Sequence, residues 1–99
     1  MNMSHENQML EKAYAENIGD HYRRASDDLL HAYQRNKEAA RHHEAGAFKA
    51  ALHHAKLSKH HSFNAHEHLK EALSISEKMS NLELPAAGKP GATGGGLVQ

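Results

Sequence analysis

Eleven histidines stand in a chain of 99 residues, and neutral imidazole suits both transition ions and protons near physiological pH. Spacing decides which chemistry is open to them. Two metal ligands on one helix must stand three or four residues apart to share a face. The histidines are His5, His21, His31, His42, His43, His53, His54, His60, His61, His66 and His68, and no two are separated by three or four. H-x-x-x-H and H-E-x-x-H are therefore absent. So is Glu-x-x-His, the carboxylate-bridged di-iron pattern; the nearest arrangement is Asp28-Leu-Leu-His31. Hemerythrin-like, ferritin-like and zincin-like sites are excluded.

What remains is a spacing of seven, in His53 with His60 and in His54 with His61 and His68. Side chains two helical turns apart, ~10 Å, cannot share one ion, so a site must draw ligands across helices or subunits. Projected around a helix, His53 and His60 fall opposite the apolar stripe, as do His31 and His42 on the preceding segment; solvated surface is the expectation for these. His54, His61 and His68 flank a stripe of small residues, His66 flanks its other side, and His43 falls in a seam. His43, His54, His61 and His66 are thus the candidate metal ligands, for weak capture of Zn²⁺, Ni²⁺ or Cu²⁺. The leading expectation for the same four is an interface role, hydrogen-bonded or half-solvated, with no cofactor. Proton sensing is a further one, because with a reference pKa near 6.5 acid carries the chain from neutral to on the order of +10.

No catalytic constellation accompanies them. Ser58-Lys-His60-His61-Ser62 lies within one helical stretch, with no strand-turn-helix elbow and no oxyanion nest. Asp27, Asp28 and His31 share a face and suit local helix pairs. The chain has no Cys, which removes disulfides, thiol nucleophiles and cysteine-held metals. Twelve basic side chains balance twelve acidic ones, so nucleic acid is not an expected partner at neutral pH, although protonated histidines would create a basic stripe in acid.

The elements that must position these groups are helices. Sixteen Ala and ten Leu stand against four β-branched residues, Ile18, Ile75, Thr93 and Val98, which leaves little to build a sheet from. Ser4 reads as an N-cap of a short first helix, and Asn17-Ile-Gly19-Asp20 reads as a stop with a fresh cap, or alternatively as a kink in a continuous helix. From there Tyr22, Leu29, Asn36 and His43 fall seven apart, with Ala25, Ser26, Ala32, Tyr33, Ala39 and Ala40 between them, and this reads as a heptad seam. Glu44-Ala-Gly46 reads as a helix C-terminus. The last helix runs from about Ala47 to Asn81, on a stripe from Phe48 to Met79 whose middle is Ala55, Ser58, Ser62 and Ala65. Two long helices across one glycine predict an antiparallel hairpin.

Such a hairpin buries little apolar area. The expectation is therefore an all-α protein: a long antiparallel helical hairpin with a short N-terminal helix, dimerising into a four-helix-type bundle. Asn36, Ala55, Ser58, Ser62 and Ala65 are the expected interface residues, with Asn36 setting register. Residues 1–82 make the helical domain. Residues 83–99, holding both prolines and five of the seven glycines, read as a flexible tail. The N-terminus has no basic and apolar leader pattern and no apolar run approaches a membrane span, so the expectation is a cytoplasmic protein without a membrane partner.

Two resemblances bear on these residues. Gly46-Ala-Phe48-Lys-Ala-Ala51 resembles the inter-helix turn of a tetratricopeptide repeat over about ten residues, with no second copy at a 34-residue period. More broadly, Glu38-Ala-Ala-Arg-His-His43-Glu-Ala-Gly46, Ala50-Ala-Leu-His-His54-Ala and Asn64-Ala-His-Glu-His68 are similar to small Ala/His-rich bacterial helical proteins of unassigned function. That likeness implies a helical hairpin and no activity. The functional expectation is a non-enzymatic helical interaction or adaptor protein that self-associates through an Ala/Ser-rich, histidine-flanked face and responds to pH. A weak transition-metal buffer using cross-helix histidines is the alternative.

Overall fold

The computed structural model describes residues 2–83, with side chains described over 5–82. Two helices account for it: α1, Asn2–Glu44, and α2, Phe48–Glu83. They fold back on each other as an antiparallel hairpin about 66 Å long, close to what 43 helical residues span at 1.5 Å each. No helix among the described residues is long and apolar enough to cross a membrane. The tail expected over 83–99 lies outside the described residues beyond Glu83, which itself belongs to α2.

The turn is fixed by backbone chemistry. Gly46 adopts φ 83°, the left-handed region where a Cβ is penalised. Around it Ala47 N–H donates to His42 O at 2.8 Å and Gly46 N–H to His43 O at 3.0 Å. This is the paired Schellman closure that satisfies the last carbonyls of a helix. Ala51 N–H then donates to Ala47 O at 3.0 Å and opens α2.

The core is made of the smallest side chains available. Ala25, Ala32, Ala39, Ala51, Ala65 and Ala72 are buried, and among the described residues Ile18 and Ile75 are the only larger buried ones. Ser58 Oγ donates to Ala32 O at 2.8 Å across the interface. Stepping seven residues either way from that contact brings Ala25 level with Ala65, Ile18 with Ala72, and Ala39 with Ala51. Small residues at heptad spacing let two helix axes approach closely. A cluster with larger side chains sits at the open end, where Tyr14 and Met79 pack on Ile18, Ala72 and Ile75.

Three sequence expectations are corrected here. The short first helix does not exist as a separate element, and Ser4 stands inside α1 rather than at its cap. Helix runs through Gly19 because Ile18 is anchored in the core, and Asp20 pairs with Arg23 and Arg24 one turn on. A mid-helix glycine costs only about 1 kcal/mol. The seam is not Tyr22, Leu29, Asn36 and His43, all of which are exposed; it is the alanine row beside them. Nor is His42 solvated like His53 and His60, since it is half-buried between the helices.

Candidate functional site

A step of three residues beyond each core position of α1 gives His21, Asp28, Arg35 and His42; the same step on α2 gives His54, His61 and His68. Both rows fall on one flank of the hairpin, and the antiparallel register pairs them in order. His21 Nδ1 lies 2.9 Å from His68 Nδ1. His61 Nδ1 donates to Asp28 Oδ1 at 3.0 Å, and Arg35 Nη1 donates to His54 Nδ1 at 3.1 Å. Ring contacts reinforce the ladder, with His31 stacked on His61 at 5.0 Å between centroids and His42 on His54 at 5.1 Å.

Each rung constrains protons. The His21–His68 contact needs one ring to donate and the other to present a lone pair, so it is lost when both carry a proton on Nδ1. Asp28 accepts from His61, which leaves His61 Nε2 as the free lone pair of the neutral ring. Arg35 can only donate, so His54 Nδ1 is unprotonated in this arrangement. Partial burial, then the Arg35 guanidinium, holds the His54 pKa below the usual imidazole range. Both effects favour the neutral form of His54.

The turn end of this flank gathers a third group. Glu38 is half-buried one helical turn before His42, with its carboxylate 3.6 Å from His42 Nε2. One ligand atom each from Glu38, His42 and His54 lies within 4.8 Å of the others. Arg41 hydrogen-bonds Glu38 and, ahead of nearby positive charge, holds its carboxyl below the ordinary range; the same contact raises the Arg41 pKa. Two imidazoles and one ionised carboxylate can hold a borderline divalent ion.

The four histidines singled out from sequence do not meet. His54 belongs to the Glu38–His42 group and His61 to Asp28 and His31. His43 is exposed and tilts against Phe48, centroids 4.9 Å apart, on the opposite flank. His66 is also on that side, exposed beside Leu69 and Leu73. The expected interface residues divide likewise. Ser58 and Ala65 are taken up inside the hairpin, whereas Asn36, Ala55 and Ser62 are exposed. Sequence reasoning missed Arg35, Glu38 and His42. The signal was present in Glu38-Ala-Ala-Arg-His42, an i, i+4 carboxylate–imidazole pair, but histidine–histidine spacing alone does not reveal it.

The opposite flank is apolar. Asn36, Ala40, His43, Phe48, Leu52 and Ala55 line an open groove of about 610 Å³ near the turn. Further along, Tyr22, Leu29, Leu69 and Leu73 are exposed. Fold and flanks together define an alanine-cored antiparallel helical hairpin, one flank imidazole and the other apolar. No protein-family model, curated protein or solved structure matches this chain.

Proposed function

We propose that the hairpin is a non-enzymatic self-association module whose apolar flank packs against a second copy to complete a four-helix bundle. One observation carries this reading: the size order of apolar side chains is inverted. Alanines fill the interior, while Phe48, Leu52 and Leu73 are each exposed by more than half. Large apolar residues on one flank, at heptad spacing, are what a helix–helix interface requires. The hairpin is 66 Å long, and a standard interface buries about 800 Å² per partner, which a strip running along most of that length would supply. A two-fold pairing presents the same strip on both copies. Asn36 and Ala55 in the groove floor then stand where the second hairpin seats, and the histidine ladder stays on the outside of the bundle.

Sedimentation equilibrium of the full chain at neutral pH tests this. The expected mass is twice the 11.0 kDa of one chain, falling to one chain in Leu52→Glu with helicity retained. Wild-type protein that stays at one chain's mass across micromolar concentrations overturns the reading.

A further inference from the structure

Self-association through the apolar flank leaves the turn end of the other flank unused, and the chemistry there is distinct. We propose that Glu38, His42 and His54 bind one divalent transition ion of the imidazole-preferring kind, and that the ion clamps α1 to α2 close to the hairpin turn. The donor set selects the class. Two nitrogens and a single carboxylate suit Zn²⁺, Ni²⁺ or Cu²⁺ and are poor for Ca²⁺ or Mg²⁺, which take mostly oxygen ligands. Open coordination positions remain for water.

The placement follows from the fold. Glu38 and His42 stand one helical turn apart on α1, so they share a face. The closure at Gly46 fixes where α2 begins, and this brings His54 alongside them. Ligand atoms about a tetrahedral ion stand roughly 3.4 Å apart, given bonds of about 2.0–2.2 Å. The three groups lie within 4.8 Å of one another, so closing on an ion takes side-chain rotation rather than backbone movement. His42 and His54 are parallel to within 2°, so one ring turns about its last torsion, a soft one, to bring both lone pairs onto the ion. Arg35 must also leave His54 Nδ1. That makes Arg35 a competitor of the metal, with consequences a merely ring-stacked pair would not have.

Calorimetric titration of Zn²⁺ into the full, tag-free chain is the test, with Ca²⁺ as the contrasting ion. The expected result is one Zn²⁺ equivalent bound more tightly than any other and no comparable Ca²⁺ site. His42→Ala and His54→Ala are each expected to weaken that site by at least the roughly 10–100-fold seen when metal-supporting groups are lost. His43→Ala and His66→Ala should leave it unchanged. Arg35→Gln should tighten it, and one equivalent of Zn²⁺ should raise the Tm of wild type but not of His54→Ala. Circular dichroism and the polar variant His42→Gln separate loss of ligand from loss of fold. An even series of weak sites, or a tight site indifferent to His42→Ala and His54→Ala, overturns the proposal. Leu52→Glu should still bind Zn²⁺, so failure here is distinguishable from failure of self-association.

Discussion

The two flanks of this hairpin are read from neighbouring residues in the chain. His21 and Tyr22, Asp28 and Leu29, Arg35 and Asn36, His42 and His43 are adjacent pairs, repeated every seven positions. One residue is a rotation of about 100°, enough to put the first of each pair on the imidazole ladder and the second on the apolar flank. The same alternation holds on α2 in His54 and Ala55, His61 and Ser62, and His68 and Leu69. The flanks share a spine of alanines and differ in what satisfies them. Hydrogen bonds close the polar flank within one chain, whereas large side chains on the apolar flank stay open to solvent. In so narrow a molecule, contacts that hold the chain and the exposed side chains proposed to meet a second copy are separated by a single residue step.

The largest effects belong to the spine both flanks depend on. Ile18→Ala removes a buried branched side chain from the cluster with larger residues. A loss of about 2–4 kcal/mol is expected, read as a Tm lower by on the order of 10 °C or more. At the other extreme of size, Ala65 is 1% exposed, so Ala65→Leu forces the helices apart, at about 1–3 kcal/mol. If thermal melts show neither variant weakened, the alanine row is not the interface and both flanks are misplaced.

Next in size is a matched pair that separates the flanks directly. Leu29→Glu puts a charge on the apolar side and should halve the sedimenting mass while keeping the helical signal. Asp28→Ala, one residue earlier, should leave the mass unchanged and instead cost His61 its acceptor at 3.0 Å. Equal effects on mass from both would erase the distinction.

How far the sequence reveals these flanks depends on residue size. The hairpin and its turn were legible because Gly46 supplies the left-handed φ that a tight helical turn needs, and long helical periodicity surrounds it. The seam reads onto Tyr22 and Leu29, three residues before Ala25 and Ala32, because large side chains look like core and alanine looks like filler. Packing reverses that choice, since Ala25 and Ala32 permit a closer approach than any larger pair. Gly19 was legible as a weak point but not as an unbroken one, because Ile18 is anchored by α2, which local sequence does not contain. Of the candidate site, His54 was visible. Its partners Arg35, Glu38 and His42 come from α1, and only the antiparallel register brings them within reach.

A smaller effect should distinguish the flanks by pH. Half-buried beside Arg35, with His42, His53 and Glu38 also near, His54 has a pKa lowered from the ordinary imidazole value. The unfolded chain then takes up this proton first, so the contribution to stability is complete above about pH 6.5 and is lost as pH falls through that value toward the lowered one. Thermal melts in chelator should therefore show Tm decreasing from pH 8 to pH 5, with a shallower slope in His54→Gln. A steeper slope in that variant would place the proton-sensitive contact elsewhere.

The smallest effect is expected at Ser58, and its sign is informative. Ser58 occupies an alanine position of the spine, half-buried, with its hydroxyl donating to Ala32 O. Ser58→Ala removes a bond worth a net 0.5–1.5 kcal/mol or so. It also gains roughly 0.5 kcal/mol of helix propensity and leaves no buried donor unmet. Ala32 O lies in the interior of α1, where the helix supplies it a backbone donor, so it is not orphaned by the change. A net loss below about 1 kcal/mol is therefore expected in chemical denaturation. A clear stabilisation would mean that the position selects for small size alone, with the hydroxyl incidental. A loss well above that range would mean that the Ser58 bond sets the register, and the rungs on both sides of it would depend on this one contact between helices.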